Sequence, residues 1–437
     1  MRIRISNIGC ISSADVRLDG LTVIAGPNDS GKSTVGKVLF ASLKALSEAS
    51  LSGFSNRADD VARALNVLYE RLGTLRFTDS VLAVNLPTTP EDGVAKLMAL
   101  DRSGVDKFLN TILAALPGLE LTPRMRSLCV DALTGLRKAL TDSSDDGRVA
   151  NRLRSLLDDE FTGDVISAGA CEASVTLSGD DSTSLPGISE TLAYTVGASG
   201  CRIACLPAFR NFPDDITLVD SPLYAHLVSA ILETLRPYPD MLTSYAPVQP
   251  HIVDFVRKLT LPAMGASAGV LNPDEVTKVR SSFRYDSQSR RLVFERDGIE
   301  FPAGNVASGL KTFGVLKLFL DNGVLSLNKM LVWDEPENHL HPEWQINFAD
   351  VLVQLSLAGI PVVVTTHSPY FIQAIRYYAA LHKAERFVSY YMSDEAGDGR
   401  KNLRDVSDSL GDVFVTLAEP LNRIMNVDLA REKNSAR

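Results

Sequence analysis

The chain has 437 residues, of which 45% are hydrophobic and 22% are charged, as in ordinary globular proteins. A formal net charge of −9 argues against a protein whose whole surface binds nucleic acid. No uninterrupted apolar run approaches the roughly 20 residues of a membrane helix, so no membrane partner is expected.

The first 25 residues predict three strands rather than a signal peptide. RIRISNIGC alternates in polarity and has no apolar core, so we expect a cytoplasmic protein. ISSADVRL resembles a second strand paired with the first. LTVIAG is a continuous apolar run, which is typical of a buried central strand. A glycine-rich loop and the helical pattern STVGKVLFASLKALSEA then complete a strand–loop–helix unit over residues 1–50.

Residues 51–168 predict a helical insertion, because four segments carry apolar residues at spacings of three and four. Strand patterns return over residues 169–300, together with a second helical segment and a β-meander. Two apolar strands, NKMLVWDEPE and GIPVVVTTHS, lie within residues 301–375. Residues 376–437 predict one further strand, a helix and a polar tail. The two ends of the core must therefore meet around the helical insertion.

The stretch GPNDSGKST, residues 26–34, fits the phosphate-loop pattern G-x-x-x-x-G-K-[ST]. It follows an apolar strand and opens a helix, which is the context that this pattern requires. In such a loop backbone N–H groups point at phosphate oxygens, Lys32 reaches the β- and γ-phosphates, and the Ser33 hydroxyl ligates magnesium. We expect the nucleotide to contact Gly26, Asn28, Ser30, Gly31, Lys32, Ser33 and Thr34.

Two later strands end in residues that complement this loop. MLVWDEPE places Asp334 at a strand tip, where it can hold magnesium through water, and Glu335 beside it can orient or deprotonate an attacking water. VVVTTHS ends in His367, which can donate a hydrogen bond to the γ-phosphate. We therefore predict Lys32, Glu335 and His367 as catalytic residues, and Ser33 and Asp334 as magnesium ligands.

A second anion-binding helix start is predicted at NVASGLKTFG, residues 305–314. Small residues, a Ser-Gly pair and a lysine precede an apolar helical pattern there, and a helix N-terminus attracts anions. We expect Ser308, Gly309 and Lys311 to contact a phosphate.

These motifs, in this order, resemble the ATP-binding-cassette (ABC) class of ATPases, and within it the soluble branch of SMC, RecF and OLD-type proteins. The N-terminal strand pair leading into GPNDSGKST and the segment DEPENHLHP are typical of that branch. The resemblance covers residues 1–45 and 300–375 well and the rest weakly. It implies an α/β fold, a P-loop ABC-type ATPase head with a mixed sheet core, N-terminal antiparallel strands and a large helical insertion.

The resemblance also implies cofactors and partners. Proteins of this class bind ATP and Mg²⁺ and hydrolyse ATP between two chains packed head-to-tail, where the signature loop of one chain completes the other chain's site. Ser308 and Gly309 match the signature loop, and Glu337 to Pro342 matches the loop that crosses the dimer interface. We expect a homodimer or a higher even-numbered oligomer, since one nucleotide site hardly needs two phosphate-binding helix starts.

The sequence departs from the family pattern at the signature and at the lid. ASGLK replaces the transporter signature LSGGQ, so Lys311 is an extra cation that contacts the partner's nucleotide or is simply solvated. No glutamine lies between the phosphate loop and residue 248, so the expected lid glutamine is missing. Arg210 and Asn211 are candidates to replace it.

Other sites are weaker alternatives. Glu337, His339 and His341 allow a metal cluster, although the resemblance explains that segment better. No nuclease domain is expected after the histidine strand, because only 70 residues follow His367 (437 − 367). The acidic residues there, Asp394, Glu395 and Asp398, are predicted in a loop. A basic strip is predicted on a hairpin at Lys278, Arg280, Arg284, Arg290, Arg291 and Arg296.

The leading hypothesis for function is a sensor and scaffold ATPase, similar to the stand-alone ATPases of the antiphage systems Septu and PARIS. In that hypothesis ATP holds a closed assembly that restrains or licenses a separate nuclease or toxin effector. The alternative is a RecF- or SMC-like DNA-repair ATPase, whose DNA the basic strip would contact. A transporter ATPase subunit is a third alternative, disfavoured by the signature, the insertion and the missing glutamine.

Overall fold

The chain forms two compact units in the computed structural model. One unit combines Met1–Lys44, Leu153–Pro237 and Thr243–Arg437, and the other combines Ala45–Arg152 and Tyr238–Leu242. The structure describes residues 1–51, 55–87, 89–98, 100, 102–141, 145–179, 190–198, 200–207, 212–234, 248–262, 271–278, 282–296, 298–338 and 340–419.

The first unit contains all the strands of the described chain, in two sheets. They are β1 (Arg2–Ile8), β2 (Ile11–Arg17), β3 (Leu21–Ala25), β4 (Glu172–Ser178), β5 (Thr191–Gly197), β6 (Gly200–Cys205), β7 (Asp215–Val219), β8 (Ser282–Asp286), β9 (Arg291–Arg296), β10 (Ile299–Pro302), β11 (Lys329–Asp334), β12 (Val362–Thr366), β13 (Val388–Glu395) and β14 (Lys401–Asp405).

The large sheet has eleven strands in the order β6-β5-β4-β1-β2-β14-β13-β3-β12-β11-β7. Its β13, β3, β12, β11 and β7 run parallel, whereas β1 pairs antiparallel with β2 and β4. Strands in a parallel region are covered on both faces, which explains why all five residues of β3 are buried. The predicted α/β fold with a mixed sheet and N-terminal antiparallel strands is confirmed. β3 joins the two ends of the core by pairing with both β12 and β13.

The helices follow the predicted pattern, with a run of helices between β3 and β4. They are α1 (Lys32–Leu51), α2 (Ser55–Leu72), α3 (Leu75–Thr78), α4 (Ser80–Asn85), α5 (Pro90–Met98), α6 (Arg102–Ala115), α7 (Pro123–Thr141), α8 (Asp145–Phe161), α9 (Val228–Thr234), α10 (Pro250–Leu259), α11 (Pro273–Thr277), α12 (Ser308–Asp321), α13 (Pro342–Leu357) and α14 (Pro369–Leu381). Residues 410–419 are also helical. No described helix is long and apolar enough to cross a membrane.

The helical unit contains α2 to α7 and has its own hydrophobic core. On α2 the buried residues Val61, Leu65, Leu68 and Leu72 recur at spacings of three and four, so they form one face of the helix. They belong to one cluster with buried leucines of α6 and α7. The large helical insertion implied by the resemblance is therefore present.

The small sheet, in the order β10-β9-β8, lies against α12. A Cβ added to Gly314 of α12 would lie 2.4 Å from the Phe283 ring of β8, so glycine permits this close approach. The β8–β9 turn is formed by residues 287–290, because Asp286 pairs with Arg291 in the ladder.

Candidate nucleotide-binding site

The phosphate loop lies at the carboxyl end of β3, between Ala25 and the first residue of α1. Its entry is fixed to the neighbouring strand, since the Gly26 N–H donates to the carbonyl of Thr366 over 3.2 Å. Gly31 adopts a φ of 81°, a conformation that favours glycine. The carbonyl of buried Ser30 accepts a 2.7 Å hydrogen bond from the hydroxyl of Ser393, so β13 supports the loop from behind.

Asn28 and Thr34, which are also predicted to contact the nucleotide, lie in the loop and directly after it. Asn28 is exposed on the loop, and Thr34 lies in the first turn of α1, where its N–H donates to the Gly31 carbonyl. The loop therefore presents its backbone at the amino end of a 20-residue helix, where phosphate is favoured.

The Lys32 ammonium lies inside the loop. Its side chain is only 4% exposed, and Nζ donates to the carbonyls of Gly26 (3.0 Å) and Pro27 (2.7 Å). Nζ also lies 3.4 Å from the carboxylate of Glu335. The structure thus brings the predicted lysine, which follows β3, and the predicted general base, which follows β11, into contact.

Ser33 and Asp334, the predicted magnesium ligands, are in direct contact. The Ser33 hydroxyl donates to Asp334 Oδ2 over 2.6 Å, and the Thr365 hydroxyl donates to Oδ1. Burial, opposed by these two hydrogen bonds, raises the pKa of Asp334. A hydroxyl and a carboxylate are the hard oxygen donors that magnesium prefers, so the residues present fit this ion.

Glu335 is held by three neighbours. Asn338 donates to its Oε2 over 2.9 Å, whereas His367 Nδ1 lies 3.2 Å from Oε1, the atom nearest Lys32. Burial raises the pKa of Glu335, but the hydrogen bonds from Asn338 and His367 and the nearby charges outweigh it, so the net pKa is lowered. Its φ of 45° is unusual for a non-glycine residue, and such strain is often found at functional sites.

Glu337 fixes the end of β12, a role that the sequence did not reveal. Only 4% of the residue is exposed, and its Oε1 accepts hydrogen bonds from the Thr366 hydroxyl and from the His367 N–H. Burial raises the pKa of this carboxyl. The same Oε1 lies 3.8 Å from His367 Nδ1, so Glu335 and Glu337 flank the half-exposed histidine ring.

The second predicted anion site begins at Ser308, the first residue of α12. A Cβ on Gly309 would lie 3.3 Å from Trp344 and 3.4 Å from Leu340, so the helix start packs closely on the segment after the carboxylates. Lys311 is 5% exposed, and burial lowers its pKa. Within the described ranges Lys311 forms no ion pair, and its low exposure argues against a simply solvated side chain.

A buried histidine between two carboxylates adjoins the site and was missed by sequence reasoning. His251 Nδ1 lies 2.6 Å from Glu160 Oε2, and Nε2 lies 3.2 Å from Asp220 Oδ2. Burial opposes the charged ring, but the two carboxylates outweigh it and raise the pKa of His251 to about 9. Asp220 directly follows β7, in the same way that Asp334 lies at the end of β11. The charge of Asp220 contributes to the raised pKa of Asp334. Of the three residues only Asp220 had a readable signal, because DITLVD is another apolar strand with an acidic end.

The structure corrects one of the weaker sequence-based interpretations, the loop predicted at Asp394 and Glu395, and bears on several others. His341 caps α13 by accepting from the Glu343 N–H, and no group of three potential metal ligands occurs among the described residues. His339, Arg210, Asn211 and Arg280 lie outside the described residues. Asp394 and Glu395 end β13 instead of lying in a loop, because they pair with β14. The first glutamine after the loop, Gln249, donates to the Glu160 carbonyl.

Half of the six residues of the predicted basic strip are paired with carboxylates. Three of its members carry acidic partners, in the pairs Lys278–Asp350, Arg284–Glu300 and Arg290–Glu233. Lys278 also lies outside the hairpin, at the left-handed residue that ends α11. Much of the positive charge expected for this surface is therefore balanced.

Comparisons with known proteins agree with a nucleotide-binding core. Residues 240–373, less than half of the chain, match a family model described as "AAA domain, putative AbiEii toxin, Type IV TA system". No curated protein matches the chain.

Solved structures resemble the chain at low identity. An SMC head bound to the C-terminal winged-helix domain of ScpA is 12% identical, with 94% of this chain and 98% of that chain covered and a TM-score of 0.40. An SMC head from Pyrococcus furiosus, bound to the C-terminal domain of ScpA, is 12% identical over 96% and 98% of the two chains, with a TM-score of 0.41. The ATP-binding cassette of an ABC transporter is 12% identical over 98% and 99%, with a TM-score of 0.31. The family match and the site geometry together support a P-loop ATPase.

Proposed function

We propose that the protein binds ATP with Mg²⁺ and hydrolyses it at the loop formed by residues 26–34. The observation that carries this proposal is the convergence of Lys32, Ser33, Asp334, Glu335 and His367 at one edge of the sheet. Bound magnesium would neutralise charge on the β- and γ-phosphate oxygens, with Ser33 and Asp334 as its holders.

The remaining residues divide the reaction among them. Glu335, whose lowered pKa keeps it ionised, accepts a proton as a water oxygen attacks the γ-phosphorus. The bond between that phosphorus and the β–γ bridging oxygen breaks, and ADP leaves with the electron pair. Lys32 stabilises charge on the phosphates, and His367, flanked by Glu335 and Glu337, donates a hydrogen bond to the γ-phosphate.

We further propose that two chains assemble head-to-tail and that the start of α12 completes the partner's site. The support is Ser308 at the amino end of a 14-residue helix, with a buried lysine one turn later. Each chain already has a phosphate loop for its own nucleotide. We therefore assign the second anion site to the nucleotide that is bound by the partner chain.

The biological role proposed for this ATPase is control of a separate nuclease or toxin effector in bacterial antiphage defence. The resemblance to Septu- and PARIS-type ATPases supports it, and the matched family description also names a toxin system. The ion pairs at three of the six basic residues weigh against the DNA-repair alternative, since salt-dependent DNA binding needs free cations.

The test is native mass spectrometry of tagged Glu335→Gln protein, purified from its own host with ATP and Mg²⁺. The proposal expects an even number of chains plus a second polypeptide. A bare dimer that carries only DNA would support the repair alternative. Lys32→Ala protein, prepared in parallel, is the control for ATP-dependent assembly.

A further inference from the structure

A cavity of about 650 Å³ lies at the opposite end of the central strands from the phosphate loop. It is lined by Arg17 at the end of β2 and by Val388 and Tyr390 at the start of β13. Val388 pairs with Leu21, the first residue of β3, whereas the phosphate loop follows the last residue of β3. A five-residue strand is about 16 Å long, so the cavity is separate from the candidate nucleotide site.

Three arginines supply positive charge to this cavity: Arg17, Arg376 and Arg386. One guanidinium N–H of Arg17 donates to the Ser389 hydroxyl over 2.9 Å. Arg386 lies over the Phe387 ring, with 4.6 Å between its guanidinium carbon and the ring centre. In the part of the chain that the structure describes, neither Arg376 nor Arg386 forms an ion pair, so both charges are available to a ligand.

The Tyr390 side chain also lines the cavity. The residue is only 7% exposed, and among the described residues its hydroxyl, which is not fully buried, has no hydrogen-bond partner. Burial is the main cause of its raised pKa, so the hydroxyl stays protonated and can donate. Arg376 is close enough for its charge to act on this hydroxyl.

The rest of the wall is mixed in character. Glu385 and Asp408 offer carboxylates that can accept from hydroxyl or amino groups, whereas Ala379 and Leu410 offer apolar contact. The volume lies in the usual range for small-molecule sites and is too large for a lone phosphate.

We propose that this cavity is a second ligand site, for a phosphate-bearing small molecule of mononucleotide size. Arg376 and Arg386 bind the phosphate, because guanidinium groups match phosphate oxygens in a bidentate geometry. Tyr390 adds a hydrogen bond, and the two carboxylates accept from the sugar or base. The site belongs to the same unit as the ATPase core but does not depend on ATP binding at the phosphate loop.

The test is isothermal titration calorimetry on the full Lys32→Ala chain, which removes the phosphate-loop lysine. The probes are AMP, GMP, CMP, UMP, inorganic pyrophosphate and a short polyglutamate peptide. We expect one mononucleotide to bind with one site per chain. The paired substitution Arg376→Ala and Arg386→Ala should weaken its affinity at least tenfold, and Tyr390→Phe should weaken it severalfold. Arg284→Ala, an exposed arginine of the small sheet, should leave it unchanged.

Thermal melting checks that every variant is folded before titration. The proposal is overturned if no mononucleotide binds at millimolar concentration, or if the arginine substitutions leave its affinity unchanged. Binding of polyglutamate alone would also overturn it, because that result identifies a surface for acidic protein segments instead.

Discussion

The Ser33 hydroxyl donates a 2.6 Å hydrogen bond to Asp334, although 301 positions separate the two residues in the chain. The contact exists because β3 and β11 are both paired with β12, so their carboxyl ends meet at one edge of the sheet. The hydrogen bond also places the two predicted magnesium ligands, the Ser33 hydroxyl oxygen and an Asp334 carboxylate oxygen, next to each other. This contact gives the first prediction.

Asp334→Asn should abolish magnesium-dependent hydrolysis while leaving the fold intact. The amide keeps the size of the side chain but removes the charge that would hold the ion through water. We expect the hydrolysis rate to fall at least about 100-fold, measured as phosphate release across a magnesium titration. Asp412→Asn, an exposed carboxylate elsewhere in the unit, is the matched control and should retain full activity. Equal activity in the two variants would contradict the assigned role.

Glu335→Gln should retain ATP binding and lose turnover. Glutamine keeps the contact with Asn338 but cannot accept a proton from water, so we expect a loss of about 10²- to 10⁴-fold in rate. Single-turnover phosphate release and filter binding of ATP separate the two steps. Glu343→Gln, in the first turn of α13, changes an exposed glutamate nearby and should behave as wild type. Loss of ATP binding in Glu335→Gln would mean that the carboxylate is structural.

The phosphate loop and the two strand ends could be predicted from the sequence because each is a local pattern. Each pattern specifies its own local backbone conformation: a glycine-rich turn, an apolar strand ending in Asp-Glu and an apolar strand ending in histidine. Parallel pairing then brings the strand ends together, which is a general property of such sheets. The structure adds the contact distances and the hydrogen bonds that hold the loop in place, such as the one from the Ser393 hydroxyl to the Ser30 carbonyl.

The His251 cluster could not be predicted, because its members come from three elements far apart in the sequence. Glu160 lies in α8, Asp220 follows β7 and His251 begins α10. Only the fold decides that they meet. The ion pairs of the basic hairpin could not be predicted for the same reason, since Glu233, a partner of Arg290, lies 57 positions away.

The His251 cluster predicts a pH-dependent stability. Because the folded-state pKa of about 9 exceeds the ordinary 6.5, the stabilisation is fully present below pH 6.5 and is lost as pH rises through 9. The difference corresponds to about 3 kcal/mol at most. Urea unfolding, followed by the fluorescence of Trp333 and Trp344, should show a declining free energy of unfolding between these values.

His251→Gln should remove most of that decline, because glutamine does not titrate. His382→Gln, a histidine paired with Asp350 on another face, is the control and should keep the decline. A wild-type stability that is flat between pH 6.5 and 9 would show that His251 is not charged in the folded protein.

Gly314→Ala should destabilise the unit that contains both sheets. The new Cβ would lie 2.4 Å from the buried Phe283 ring, so α12 and β8 must move apart. Overpacking of this kind costs about 1–3 kcal/mol. Gly304→Ala, where no atom lies within 4 Å, should change the stability by less than about 0.5 kcal/mol. Urea unfolding of both variants decides this, and equal stabilities would mean that the small sheet adjusts without cost.

Ser308→Arg should abolish hydrolysis and leave ATP binding intact. In the proposed assembly this substitution damages only the site of the partner chain, whereas the phosphate loop of the same chain is unchanged. Lys32→Ala should be inactive for the opposite reason, through loss of its own phosphate loop. In an equal mixture, half of the dimers contain one chain of each kind, and each of these has one intact composite site. Phosphate release should therefore recover to about a quarter of the wild-type rate on mixing. Full turnover by Ser308→Arg alone, or no recovery in the mixture, would exclude a site completed in trans.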